Sequence, residues 1–177
     1  MLARGLFVKN KKLRVFDFDD VLVRTKSNIY VTNENGNTRK LTPGQYAMYK
    51  RKPGDTFDFS EFENVNDPEE IHTMTRVLRS MIKAEGNRDL YILTARGVKR
   101  PVENYLRDIG IRGIEVVALG DGNPESKAQW IESKVTDGKY DDVFFVDDSE
   151  RNIKAVKRRL SRMGISHRVK LMKSEWK

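Results

Sequence analysis

The stretch Leu13-Arg14-Val15-Phe16-Asp17-Phe18-Asp19-Asp20 decides the fold of this chain. It is a short apolar run that ends in acids, which is typical of a buried β-strand whose carboxyl end carries function. Four further apolar runs predict more strands, at 90–93, 114–119, 143–146 and 168–172. The first strand therefore belongs to a set of five.

Helix signals separate these runs. The sequence Asp67-Pro68-Glu69-Glu70 predicts a helix start, since it offers an N-cap, a proline at the first position and acids in the first turn. Further helix starts are predicted at Pro101, at Asn123-Pro124 and at Ser149. Strands that alternate with helices imply right-handed crossovers. We therefore expect a three-layer αβα, Rossmann-like architecture with a mainly parallel five-stranded sheet.

The segment 27–66 breaks this alternation. It has turn signals at Asn35-Gly36, Pro43-Gly44 and Pro53-Gly54, with β-type pieces between them and no clear helix. Two interpretations stay open: a small flap or cap over the carboxyl ends of the strands, or an ordinary long surface connection. On either one, residues 1–177 form a single domain with an insertion after the first strand.

Composition limits the chemistry. The 177 residues carry 34 Lys+Arg against 26 Asp+Glu, a formal charge of +8, with two His and no Cys. Disulfides, thiolate zinc sites, cysteine nucleophiles and histidine-rich metal cages are therefore excluded. No apolar run approaches the ~20 residues that cross a bilayer, so we expect a soluble cytoplasmic protein with no membrane partner. The positive charge fits either an anionic partner or a solvated surface.

Polar groups fall where the predicted strands end. Asp17 and Asp19 follow the first strand, Thr94 closes the second and Asp147-Asp148 closes the fourth, while Lys127 lies in the first turn of a helix. Carboxylates brought together from two strand ends raise each other's pKa unless a cation lies between them. Oxygen ligands favour Mg²⁺. With a Lys and a hydroxyl nearby, the set suits a phosphoryl group.

These motifs resemble those of the haloacid dehalogenase (HAD) superfamily of phosphohydrolases. The family pattern is a strand with Asp-x-Asp, a strand ending in Thr or Ser, a Lys near a helix start, and a strand ending in paired acids. All four occur here in family order across about 130 residues, as Val15-Phe16-Asp17-Phe18-Asp19, Ile92-Leu93-Thr94, Lys127 and Phe145-Val146-Asp147-Asp148. The resemblance implies a HAD-like fold and an Mg²⁺-dependent phosphatase.

The resemblance also implies roles. Asp17 would be the nucleophile that forms an aspartyl-phosphate, and Asp19 the general acid and base. Mg²⁺ would be held by Asp17 and Asp147 with the main-chain carbonyl of Asp19, and Asp148 would assist directly or through water.

Phosphate binding would fall to Thr94 and Lys127, and Arg96 is a further candidate because it follows the same strand end. One residue departs from the family pattern. Asp20 stands where many family phosphatases have Gly, which puts the local turn geometry in doubt.

Substrate class is less determined. The layout from Thr94 onward also resembles the 3′-phosphatase domain of phage polynucleotide kinase-phosphatases, which makes nucleic-acid ends one class of partner. A nucleotide or sugar phosphate is the main competitor. Two other classes are a phosphoacceptor receiver domain, whose motifs come in another order, and a non-catalytic basic nucleic-acid-binding module. The oligomeric state stays open.

Overall fold

The computed structural model describes residues 10–173. In chain order its elements are β1 (Lys12–Phe16), β2 (Val23–Arg24), β3 (Ile29–Thr32), β4 (Thr38–Leu41), α1 (Pro43–Met48), β5 (Thr56–Asp58), a 3-10 turn (Ser60–Glu63), β6 (Glu69–Glu70), α2 (His72–Glu85), β7 (Leu90–Thr94), α3 (Arg100–Asp108), β8 (Glu115–Ala118), α4 (Pro124–Gly138), β9 (Asp142–Asp147), α5 (Glu150–Arg162) and β10 (Ser166–Leu171).

Five strands form the main sheet, in the order β10-β9-β1-β7-β8, and every neighbouring pair is parallel. The expected α/β architecture with a parallel five-stranded sheet is confirmed. Helices α2 and α3 pack on one face, and α4 and α5 on the other. Side chains of β1 alternate between these two cores, with Phe16 on the α2 side and Val15 on the α4 side.

Strand order places a crevice beside β1. The chain runs from β1 outward to β7 and β8, and then returns to β9 on the opposite side of β1. A reversal of this kind opens a crevice at the carboxyl ends of the two central strands, where open α/β sheets bind ligands. Asp17 directly follows β1 and Asp147 ends β9, and the Asp17 N–H donates a hydrogen bond to the Val146 carbonyl at 2.9 Å. The topology therefore brings both acids to one point.

The 27–66 insertion contains a separate three-stranded antiparallel sheet, in the order β4-β3-β5. The prediction that this segment has no helix is wrong, because Pro43-Gly44 opens α1 instead of a turn. A capping box explains the difference: the Thr42 side chain accepts from the Gln45 N–H, and the Gln45 side chain accepts from the Thr42 N–H. Thr-x-x-Gln was visible in the sequence.

The start of α2 also differs from the prediction. The helix begins at His72 rather than at Pro68, and its N-cap is Ile71. Glu69–Glu70 instead pair antiparallel with Val23–Arg24, and Asp67 takes a positive φ of 41°. A ladder with a distant segment has therefore replaced the local helix signal. Across residues 10–173, none of the helices combines the length and apolar character that crossing a bilayer requires.

Candidate functional site

Three carboxylates converge where β1 and β9 end. Asp17, Asp147 and Asp148 each offer an oxygen within 4.8 Å of the others. Asp17 and Asp147 are buried, with exposed fractions of 6% and 0%. Burial raises the pKa of Asp17 well above its usual value, and the negative charge of Asp147 raises it further. The cluster thus concentrates negative charge away from water, which favours a cation at this place.

Lys127 supplies one positive charge to the cluster. Its Nζ donates to Asp17 Oδ1 at 2.8 Å and to Asp147 Oδ2 at 2.7 Å. Burial alone would lower the pKa of Lys127, but the charges of Asp147 and Asp17 outweigh burial and raise it, so the ammonium group stays protonated. The first turn of α4 holds this side chain, and the N-cap Asn123 and Pro124 fix where that helix begins.

Asp147 is held in place from three sides. Besides Lys127, it accepts hydrogen bonds from the Ser149 N–H at 2.8 Å and from Asn152 Nδ2, which lies 3.1 Å from each carboxylate oxygen. The sequence interpretation missed Asn152. Its position was the available signal, because a residue in the first turn of the helix that Ser149 caps lies close to the preceding strand end.

Asp19 lies outside the three-carboxylate cluster. Both of its oxygens accept from Arg96, with Nε at 2.8 Å and Nη2 at 2.7 Å. Arg96 is 4% exposed and also donates through Nη1 to the main-chain carbonyls of Phe62 and Asn64, at 2.9 and 2.7 Å. The two residues that sequence assigned to acid-base chemistry and to phosphate binding are therefore paired with each other.

Thr94 ends β7, the other neighbour of β1, and is buried. Its hydroxyl oxygen accepts a hydrogen bond from the Arg96 N–H at 3.2 Å. This bond fixes the turn that leads into the Arg96 side chain. Thr94 and Arg96 are thus positioned together on the side of β1 opposite β9.

Asp20 shows the geometry that its departure from the Gly pattern put in doubt. Its φ is 58°, in the left-handed region, and its N–H donates to the Val23 carbonyl at 2.8 Å. Asp tolerates this conformation better than most residues, although Gly adopts it at no steric cost. The turn after Asp19 is therefore formed with Asp in place of Gly.

The donor set fits a divalent cation. The three carboxylates supply the hard oxygen ligands that Mg²⁺ takes in proteins, whereas Lys127 offsets only one of their charges. The Asp19 carboxylate does not join this set, so a contribution from Asp19 would come from its main chain. The arrangement can hold a cation and an anionic ligand side by side at the crevice.

The insertion reaches the same edge of the sheet. Arg96 joins it to the loop after β7, and a Cβ added at Gly122, in the loop after β8, would lie 3.5 Å from Tyr46 Oη. The insertion therefore contacts the loops that follow two of the five strands.

Comparisons of this chain with protein-family models, curated proteins and solved structures found no match.

Proposed function

We propose that this protein is an Mg²⁺-dependent phosphatase of HAD type that hydrolyses phosphate monoesters through an aspartyl-phosphate. The observation that carries the proposal is the convergence of Asp17, Asp147 and Asp148 with Lys127 at the crevice between β1 and β9. A buried carboxylate that directly follows the central strand, beside a protonated Lys and a place for a cation, is an arrangement for attack on phosphorus.

The first step transfers the phosphoryl group to Asp17. A carboxylate oxygen of Asp17 attacks phosphorus, and the bond between phosphorus and the leaving oxygen breaks. The leaving oxygen takes its proton from Asp19. Lys127 neutralises negative charge on the phosphoryl oxygens, and the Thr94 hydroxyl donates a hydrogen bond to one of them.

The second step releases phosphate. Asp19, now ionised, accepts a proton from water, whose oxygen attacks phosphorus and displaces Asp17. Asp19 gives one proton to the leaving oxygen in the first step and takes one from water in the second, so the cycle returns it to its starting state. In the present structure Asp19 is paired with Arg96, and it must be released from at least part of that pair to reach the leaving oxygen.

The cation is the part of the proposal that is simplest to test. Asp17, Asp147 and Asp148 would hold Mg²⁺, which when bound neutralises the phosphoryl oxygens and the surplus acid charge. Treatment with a chelator is expected to reduce hydrolysis of an aryl phosphate at least about 100-fold, and added Mg²⁺ should restore it. Activity that survives thorough chelation would contradict a metal-dependent mechanism.

Thermal unfolding gives a second measurement of the same site. A ligand that binds only the native state adds about 2.7 kcal/mol at 100 times its Kd, so Mg²⁺ should raise Tm. Asp148→Asn removes one proposed ligand and should shift the midpoint of this rise to higher Mg²⁺ concentration. An equal rise in both proteins would place the bound metal elsewhere.

Nucleic-acid ends are the substrate class that the surface favours. Among residues 10–173, three large apolar side chains are exposed, Met48 and Phe59 in the insertion and Val98 in the loop after β7. Two exposed basic residues lie beside them: the Arg51 guanidinium is 4.7 Å from the ring of Phe57, which stacks on Phe59, and Lys99 follows Val98 in the chain. The Phe59 ring can stack on a base and the basic side chains attract phosphates, which are the two contacts that hold single strands.

A 3′-phosphorylated oligonucleotide should therefore be a better substrate than a 3′-mononucleotide at low salt, by roughly tenfold in kcat/KM. Phe59→Ala should lower this ratio, because a ring that stacks on bases adds binding energy that an oligonucleotide uses more fully than a mononucleotide. Equal or reversed kcat/KM would favour a small nucleotide or sugar phosphate. Salt-sensitive binding without hydrolysis of any ester would favour a binding module.

A further inference from the structure

Arg96 has a function that its assignment as a phosphate ligand does not describe. Four of its five N–H donors are engaged: two with the Asp19 carboxylate and two with the main-chain carbonyls of Phe62 and Asn64. Its side chain is 1% exposed, against 21% for Asp19. One buried guanidinium thus joins the proposed general acid to the insertion, across 77 residues of sequence on one side and 32 on the other.

Two aromatic rings lie close to this guanidinium. Its central carbon lies 5.0 Å from the centroid of Phe62 and 5.5 Å from that of Phe18. Phe18 stands between Asp17 and Asp19 in the sequence and its side chain is fully buried, whereas Phe62 belongs to the 3-10 turn of the insertion. The same two segments that Arg96 joins by hydrogen bonds therefore also place aromatic rings against its guanidinium.

We propose that Arg96 is a positioning residue that makes the orientation of Asp19 depend on how the 60–64 turn of the insertion is seated. The proposal rests on the proposed function, because it assigns Asp19 the role of general acid. Nε and Nη2 of Arg96 form a planar fork that binds both oxygens of Asp19, and this fork sets the direction of that carboxylate. The fork is itself aimed by the carbonyls of Phe62 and Asn64.

The coupling follows from geometry. Asp19 can turn toward a leaving oxygen only when one of its two bonds to Arg96 opens. A shift of the 60–64 turn moves the two carbonyls that hold Nη1, and so moves the fork. Contact between a substrate and the insertion would in this way reorient the acid. Lysine cannot replace this function, since an ammonium group lacks the planar fork that binds two oxygens and two carbonyls together.

The leaving group provides a readout that a merely structural role would not move. An alkyl phosphate needs a proton on its leaving oxygen, whereas a nitrophenyl phosphate departs without one. We compare kcat/KM, because it reports the steps up to the first cleavage of the phosphorus–oxygen bond. Arg96→Lys should lower kcat/KM for the alkyl ester about 100-fold, the scale of general acid catalysis, and for the nitrophenyl ester less than about fivefold.

Asp19→Asn should show the same selectivity, and Arg96→Lys should add little to it in the double variant, since both act through one carboxylate. The matched control is Arg14→Lys. Arg14 is also buried and binds a carboxylate and a carbonyl, those of Glu85 and Arg88, but lies in the interior of β1. Arg14→Lys should change kcat/KM for the alkyl and the nitrophenyl ester by the same factor. An equal loss on both esters in Arg96→Lys would overturn the proposal.

Hydrogen exchange tests the coupling without any activity. The Phe62 N–H is bonded to the Phe59 carbonyl at 2.9 Å, and peptides covering 59–66 report its opening. Asp19→Asn should speed exchange there about tenfold, and Arg14→Lys should not. If the wild type hydrolyses neither ester, the proposed function fails while this measurement still decides the coupling. Unchanged exchange in Asp19→Asn would overturn it.

Discussion

Asp17→Asn is expected to abolish turnover, by at least ~10⁴-fold in kcat, while the protein stays folded. The amide keeps the size of the carboxylate and its oxygen can accept from Lys127 Nζ, which lies 2.8 Å from Asp17 Oδ1. It cannot attack phosphorus, because the amide is a far weaker nucleophile than the carboxylate. The free energy of unfolding should change by no more than about 1 kcal/mol, since the weaker hydrogen bond from Lys127 is offset by relief of a buried negative charge.

Mass spectrometry distinguishes two roles for Asp17: a nucleophile that becomes phosphorylated, and a carboxylate that only assists attack by water. Acid quenching of the wild type during turnover should trap a phosphorylated peptide that contains Asp17, and Asp17→Asn should trap none. Asp121→Asn is the matched control, because Asp121 lies in the loop after β8 and is exposed, outside the acid cluster. It should keep activity within about threefold. Turnover at the wild-type rate in Asp17→Asn would refute covalent catalysis at this residue.

Local signals explain how much of the fold could be predicted from the sequence. Apolar runs of four to six residues and the caps at Asn123 and Ser149 act within a few positions, and the structure confirms both caps. Once the strands alternate with helices, the parallel sheet follows from the handedness of crossovers. The meeting of Asp17 with Asp147 could be predicted for the same reason, because carboxyl ends of parallel strands share one edge.

Pairing between distant segments explains what could not be predicted. Asp67-Pro68 is a typical helix start, but Glu69–Glu70 form an antiparallel β-ladder with Val23–Arg24 instead. The same holds for the site, where Arg96 finds its carboxylate 77 residues away. The sequence shows only that Arg96 is a basic residue that follows a strand. This position suits a ligand of phosphate and a partner of Asp19 equally well, so the sequence cannot distinguish the two roles. Sequence patterns thus placed these residues at the right edge but did not assign their contacts.

Lys127→Met is expected to destabilise the protein by about 3–5 kcal/mol in the absence of divalent metal. Met has an unbranched side chain nearly as long as that of Lys, so the substitution mainly removes the charge. It leaves the buried carboxylates of Asp17 and Asp147 without their shared cation. For a chain of this size the loss corresponds to a fall in Tm of roughly 6–20 °C. Chemical denaturation in the presence of chelator measures it, and Mg²⁺ should recover more stability in the variant than in the wild type.

The cause of this loss can be isolated with a double-mutant cycle. If unpaired charge is responsible, Asp17→Asn should be nearly neutral in the wild type and stabilising by about 1–3 kcal/mol in Lys127→Met, where it removes a buried charge that has lost its partner. Lys134→Met on the same helix is the control. The Lys134 ammonium group lies over the Tyr91 ring at 4.6 Å and forms no ion pair with a carboxylate of residues 10–173, so its loss should cost no more than about 1 kcal/mol. Additive effects in the cycle would show that Lys127 stabilises the fold by packing, and not as the cation of the acid cluster.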